Sequence, residues 1–206
     1  MKNAVIALDR IKKMVSPHMG IWDEPWKILV TTIMSTRTKD EQTDRASLRL
    51  FCRYPTLAAL SSADSSEVES LIRPVGFYRE KARNIVQTSK ILVNNFNSSV
   101  PGDLESLLTL PGVGRKVANI VLSYGFGVPA IAVDTHVRRV SNRLGLASTR
   151  IPDKIEKILE AKIPRERWNE VNSYFVEFGK EICRPVNPRC LECLLNAECN
   201  YYRRKR

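Results

Sequence analysis

A chain of 206 residues with 43% hydrophobic content can bury a substantial core, as one large domain or two small ones. Lys and Arg number 33 against 22 Asp and Glu, and the formal charge of +11 attracts polyanions at long range. No apolar run is long enough to cross a bilayer, and the opening MKNAVIALDRIKKMV is too charged for a signal peptide, so a soluble intracellular protein without membrane contact is expected.

Ala4, Ile6 to Leu8, Ile11 and Val15 recur near helical period and predict a helix that ends before Pro17. After Pro25, WKILVTTIMS suits a buried helix or a strand of β-branched residues. TKDEQTDRASLRLFCRY places Ala46, Leu50 and Phe51 on one helical face, with Thr38 or Asp40 available to cap its start. Cys52 in the same run reads as a buried small hydrophobe. A short helix around Ser66 to Ile72 leads through the turn PVG into FYREKARNIVQTSKILVNNF, where Ala82, Ile85, Val86, Ser89, Val93 and Phe96 share one side. From Pro101, a short helix ends at Leu110, a glycine-bearing hairpin follows, and a second helix runs from Arg115 to Phe126. Further helices are predicted at Thr135 to Leu144, Asp153 to Lys162 and Trp168 to Ile182. Sustained strand alternation is missing, which makes the fold all-α, and the segment GFGVP before Ala130 is where the chain would pass between two helical lobes. Trp22, Trp26 and Trp168 read as packing residues.

In LPGVG, Pro111 stops one helix and Gly112, Val113 and Gly114 form a tight turn before the next, leaving backbone N–H groups aimed outward. Such a turn can hold a phosphate oxygen, and Arg115 and Lys116 add charge beside it. The same residues also serve as a plain connection between two helices. Asp134 in VDTH stands where the next helix needs an N-cap, and the helix dipole favours negative charge there. His136 suits structural hydrogen bonding in the first turn, and Arg138, Arg139 and Arg143 are expected to meet solvent or phosphate.

Cys183, Cys190, Cys193 and Cys199 follow a C-x6-C-x2-C-x5-C spacing. Four thiolates from so short a stretch can close on one zinc or one cubane iron–sulfur cluster, and metal bonds would then order loops with little core of their own. Two disulfides use the same cysteines but fit poorly without a secretory signal. The closing YYRRKR can touch phosphate or keep the surface wet.

The run LPGVGRKVANIVLSYGFGVPAIAVDTHVRRVSNRLG resembles the helix-hairpin-helix and Gly-Pro-Asp region of the endonuclease III family of base-excision DNA glycosylases, and the cysteine spacing resembles that family's four-iron cluster loop. The resemblance covers nearly the whole chain. It implies a six-helix barrel over residues 18–128 and a second helical domain made of residues 1–17 and 129–206, carrying a [4Fe-4S] cluster on the four cysteines. Double-stranded DNA with damaged bases or abasic sites would be the partner of a monomer, lying across a groove between the lobes. The resemblance gives Lys116 the role of Schiff-base nucleophile and Asp134 that of essential carboxylate, hence a bifunctional glycosylase and AP lyase. It further implies that Arg37, in MSTRTKD, fills the gap left by the extruded base and that Phe77, in PVGFYREKA, wedges into the opposite strand. Arg37 departs from the family, since many members acting on oxidised pyrimidines carry glutamine there, whose amide both donates and accepts while guanidinium only donates. A thymine or uracil mismatch glycosylase and a non-catalytic DNA-binding module are the alternative readings. The chain stops soon after Cys199, so the extra recognition domain of adenine-mismatch glycosylases is not expected.

Overall fold

The computed structural model describes residues 3–17 and 20–204. The chain divides into two compact units, one continuous over Gly20–Phe126 and one assembled from Met1–Met19 and Gly127–Arg206. The boundary expected between residues 17 and 18 falls beside residues 18 and 19, which lie outside the described residues, as do residues 205 and 206 of the basic tail. Among the described residues every regular element is helical. Helix α1 (Ala4–Lys12) belongs to the discontinuous unit; α2 (Pro25–Ser35), α3 (Asp40–Arg53), α4 (Leu57–Ser61), α5 (Ser65–Leu71), α6 (Tyr78–Asn95), α7 (Leu104–Leu108) and α8 (Arg115–Ile120) make the continuous one. The discontinuous unit is completed by α9 (Thr135–Leu144), α10 (Pro152–Glu160), α11 (Trp168–Glu181) and α12 (Asn200–Arg203).

In the continuous unit the β-branched run after Pro25 is helical, because Pro25 at the first turn pre-sets the backbone and Ile28, Leu29, Ile33 and Met34 bury one face. Helix α3 starts without either cap foreseen for it: Lys39 is the N-cap residue, and Asp40 and Glu41 instead place negative charge in the first turn. The short helices rely on side-chain caps. Thr56 accepts from the Ala59 N–H at 3.1 Å, Asp64 from the Ser66 N–H at 3.0 Å and Asp103 from the Ser106 N–H at 2.8 Å. Helix α6 packs against α2, α4 and α5 and buries Ala82, Ile85, Val86, Ser89 and Leu92; Leu92 rather than Val93 closes the stripe. Each fully buried aliphatic side chain of this kind contributes about 1.5–3 kcal/mol. Beyond Ile120 the last helix loosens into a π-helical turn, Val121–Gly125, where Gly125 lies against Pro25. Trp22 and Trp26 meet Phe51 edge-on at 4.9 and 5.1 Å. Cys52 is exposed, contrary to its sequence reading: one residue beyond Phe51, the helix has turned its side chain away from the core.

In the other unit, Leu8 and Ile11 of α1 join Val137, Val140, Phe175 and Phe178 in a single core, with α9 packed against α10, α11 and α12. Asn3 caps α1, accepting from the Val5 and Ile6 N–H groups at 3.0 and 3.1 Å. Ile6 lies off the buried stripe and is 43% exposed.

Candidate active site and metal centre

The hairpin joins α7 to α8 through Thr109–Gly114, and Thr88 of α6 donates its hydroxyl to the Pro111 carbonyl at 2.9 Å. Gly112 has φ +77, and a Cβ there would stand 3.0 to 3.3 Å from the side chain of Asn84, so backbone and packing both demand glycine. Gly114 differs from its sequence reading. It is the N-cap residue of α8 at φ −95, with open space where a Cβ would go, so no backbone restriction selects glycine there. Val113 is buried, Gly112 and Gly114 are exposed, and Arg115 and Lys116 are half-buried in the first turn of α8.

Lys116 has a second lysine as a neighbour. Lys81 of α6 is 6% exposed, and burial pushes its ammonium down to about 8, with the Lys116 charge adding to the depression and Glu80 opposing it. Sequence reasoning passed over Lys81, although a lysine on the same helical face as Ala82 and Ile85 was a signal that it is buried.

Arg37 and Phe77 both project from backbone in the left-handed region, at φ 53 and 59. Phe77 is 58% exposed and does not fold back onto the helices; the Arg37 guanidinium stacks over its ring at 5.4 Å.

Asp134 caps α9 as its position suggested, its Oδ1 accepting from the Val137 N–H at 2.8 Å, and the carboxylate is half-buried. His136 packs against Gly179 of α11, lies 3.1 Å from Arg139 through Nδ1, and has its basicity lowered, chiefly by burial. Its surroundings are structural. The three arginines of α9 divide differently from the expectation. Arg138 is exposed, but Arg139 donates to the carbonyls of Cys183 at 3.0 Å and Gly179 at 2.8 Å. Arg143 donates to the carbonyls of Arg184 at 2.6 Å and Pro185 at 3.0 Å and stacks on Tyr201 at 4.2 Å. Helical period points both guanidinium groups at the end of α11 and the loop that follows it, where they hold backbone oxygens.

That loop carries the cysteines, none of them in a disulfide. Cys183, Cys190, Cys193 and Cys199 line one recess together with Leu144, Phe178 and Tyr202. Burial raises the Cys183 thiol, and it pushes Cys193 up to about 11, with the other three thiols adding to the effect. Thiolates in such surroundings need a cation to compensate them, and the donor set is that of a metal centre. The Leu195 N–H points at the Cys193 sulfur at 3.4 Å, and Arg143 lies 3.6 Å from the Cys183 sulfur, donors that suit electron-rich sulfur. Protein contacts hold this loop more firmly than its composition suggested. Leu195 is fully buried, and Arg10 of α1 pairs with Glu198 at 2.7 Å, beyond what Arg139 and Arg143 supply.

The family described as HhH-GPD superfamily base excision DNA repair protein matches residues 30–165. Endonuclease III of Thermotoga maritima is 49% identical over 200 residues, covering 97% of this chain and 93% of its own. Endonuclease III of Bacillus subtilis is 37% identical over 203 residues, covering 97% and 92%. A solved endonuclease III, trapped as a covalent intermediate with DNA, superposes with a TM-score of 0.93 at 37% identity, over 98% of this chain and 96% of that one. The chain therefore belongs to the endonuclease III family of helix-hairpin-helix DNA glycosylases.

Proposed function

We propose that this DNA glycosylase and AP lyase excises oxidised pyrimidines from duplex DNA and then nicks the strand, with Lys116 as the nucleophile and Asp134 as the essential carboxylate. The observation that carries the reading is Lys116 itself: an amine in the first turn of α8, directly after a hairpin whose Gly112 is constrained by backbone and packing alike. A primary amine is what a combined glycosylase and lyase requires.

The neutral Lys116 amine attacks C1′ of the damaged nucleotide, and the C1′–N bond breaks with its electron pair leaving on the base. Asp134 stabilises the positive charge that develops on the sugar. Nζ passes a proton to the departing base, the C1′–O4′ bond breaks with O4′ taking a proton from solvent, and the protonated imine so formed between C1′ and Nζ acidifies the C2′ proton, which solvent removes. Loss of that proton moves an electron pair towards C3′ and expels the 3′ phosphate. The Gly112–Gly114 turn and Arg115 hold phosphate. Arg37 fills the gap that the extruded base leaves, and Phe77 stacks on the strand opposite. Residues 18–128 are the lobe of the hairpin, and residues 1–17 with 129–206 the lobe of the cysteines.

Borohydride trapping on duplexes with thymine glycol, a G·T mismatch, a G·U mismatch or a preformed abasic site tests the substrate. A covalent adduct with base release on thymine glycol is expected. Base loss confined to the mismatches would instead make the chain a mismatch glycosylase, the reading that the donor-only guanidinium of Arg37 keeps in view.

Cys183, Cys190, Cys193 and Cys199 would hold a [4Fe-4S] cluster, the group that membership of the endonuclease III family supports for four thiols lining one recess. Held by four protein thiolates, such a cluster would order the loop and supply structure to it. Anaerobically purified protein should show the broad visible absorption of such a cluster and about four irons per chain. Stoichiometric zinc without that absorption would replace the assignment. Because Leu195, Arg10, Arg139 and Arg143 also hold the loop, cluster removal should raise proteolysis within Cys183–Cys199 while leaving the Gly20–Phe126 unit folded.

A further inference from the structure

We infer that Lys81 is a positioning residue that locks Arg37 and Phe77 together as one preformed element for reading DNA. The inference rests on the proposed roles of Arg37 and Phe77. The Lys81 ammonium bonds to neither of them, and only its backbone N–H reaches one, donating to the Phe77 carbonyl at 3.1 Å. Its ammonium donates to the Met34 carbonyl at 2.8 Å, to the Thr36 carbonyl and to the Thr38 hydroxyl at 3.2 Å, all at the C-terminal end of α2 and the turn beyond it. A helix end leaves its last carbonyls without intrahelical donors, and a buried cation is the donor best able to serve several acceptors at once, here beside the Thr38 hydroxyl that also donates to the Thr36 carbonyl at 3.2 Å. The Thr38 hydroxyl also accepts from the Gly76 N–H at 3.2 Å, which joins this turn to the one that carries Phe77. The join is tight: a Cβ on Gly76 would stand 2.8 Å from the Arg37 carbonyl.

Arg37 and Phe77 lie on either side of this join, each held at positive φ. Non-glycine residues in the left-handed region are strained, and such backbone persists only where its surroundings over-determine it. Lys81 supplies that determination from beneath, and the result is a guanidinium stacked on an exposed ring before any DNA arrives. The cation is retained although burial makes its charge expensive, as the fall to about 8 records. A neutral side chain of similar length would fill the space, take the charged donor from the Met34 and Thr36 oxygens and the Thr38 hydroxyl, and free both turns to relax.

The test is a double-mutant cycle on the full chain. Lys81→Met should slow single-turnover excision of thymine glycol by about 100-fold at saturating enzyme, the scale of a misplaced contact group. It should also lower the fluorescence change of a 2-aminopurine placed beside the lesion, which reports base extrusion. In an Arg37→Ala, Phe77→Ala background the same substitution should cost less than about twofold, because its effect passes through those two residues. An equal penalty in both backgrounds would overturn the inference. Thr38→Val, which cuts the link to Gly76 without removing the lysine, should repeat the loss and serves if Lys81→Met does not fold. Should the wild type leave every duplex intact, the function reading fails and hydrogen exchange decides this one: the Gly76 amide should exchange faster in Lys81→Met, and unchanged exchange would sink the lock.

Discussion

Lys116→Gln leaves a folded protein that still binds duplex DNA but yields no borohydride-trapped adduct, and its base release falls by at least about a thousandfold, or about 4 kcal/mol of barrier. Glutamine keeps the polarity and most of the length of lysine and is a good helix former, so α8 and the hairpin persist. Its amide nitrogen is neither nucleophilic nor able to form an imine, so the covalent route closes at its first step. The neighbouring amine cannot take over, because Lys81 is 6% exposed and its protons point at Met34, Thr36 and Thr38. A trapped adduct that persists in Lys116→Gln would move the nucleophile elsewhere in the chain. Gel-shift binding to an abasic-site duplex checks that the DNA surface survives, and the helical circular dichroism checks the fold.

Asp134→Asn separates two tasks that one side chain performs. Asparagine caps a helix about as well as aspartate, and its amide oxygen can accept the Val137 N–H that Oδ1 accepts now at 2.8 Å. Thermal stability should therefore shift by no more than about 1 kcal/mol, the value of one negative charge at a helix start. Excision should nonetheless drop by about 100- to 1000-fold, the usual loss when one preorganised group facing transition-state charge is removed. A variant as active as the wild type would reduce Asp134 to a cap. The sharper comparison is with Asp134→Ala, which loses cap and charge together: its melting temperature should fall below that of Asp134→Asn, with excision no better.

Local signals carried a great deal of this molecule. The helical period of Ala82, Ile85, Val86 and Ser89 placed α6, the longest helix of its unit among the described residues, because one apolar stripe every turn admits few alternatives. Asp134 ahead of Val137 and Val140 announced a cap, since the free N–H groups of a helix start need an acceptor at that position. Four cysteines close in sequence could only end near one another in space, and they share a recess. Gly112 was readable for the same reason, being the one residue that a left-handed turn accepts without strain.

Direction and partnership were decided by tertiary structure. Arg139 and Arg143 were expected to meet solvent or phosphate and anchor the cysteine loop, because which face of α9 meets that loop depends on the packing of α9 against α11. Cys52 points outward through the same kind of choice on α3. Lys81 is the sharpest case. Nothing within a few residues of it tells that its ammonium will meet the end of α2, more than forty residues earlier in the chain, with a separation of 47 to Met34. Composition, period and caps are short-range properties that a sequence states by itself. The orientation of a long cationic side chain, and the strained backbone that it holds at Arg37 and Phe77, exist only once distant elements have packed.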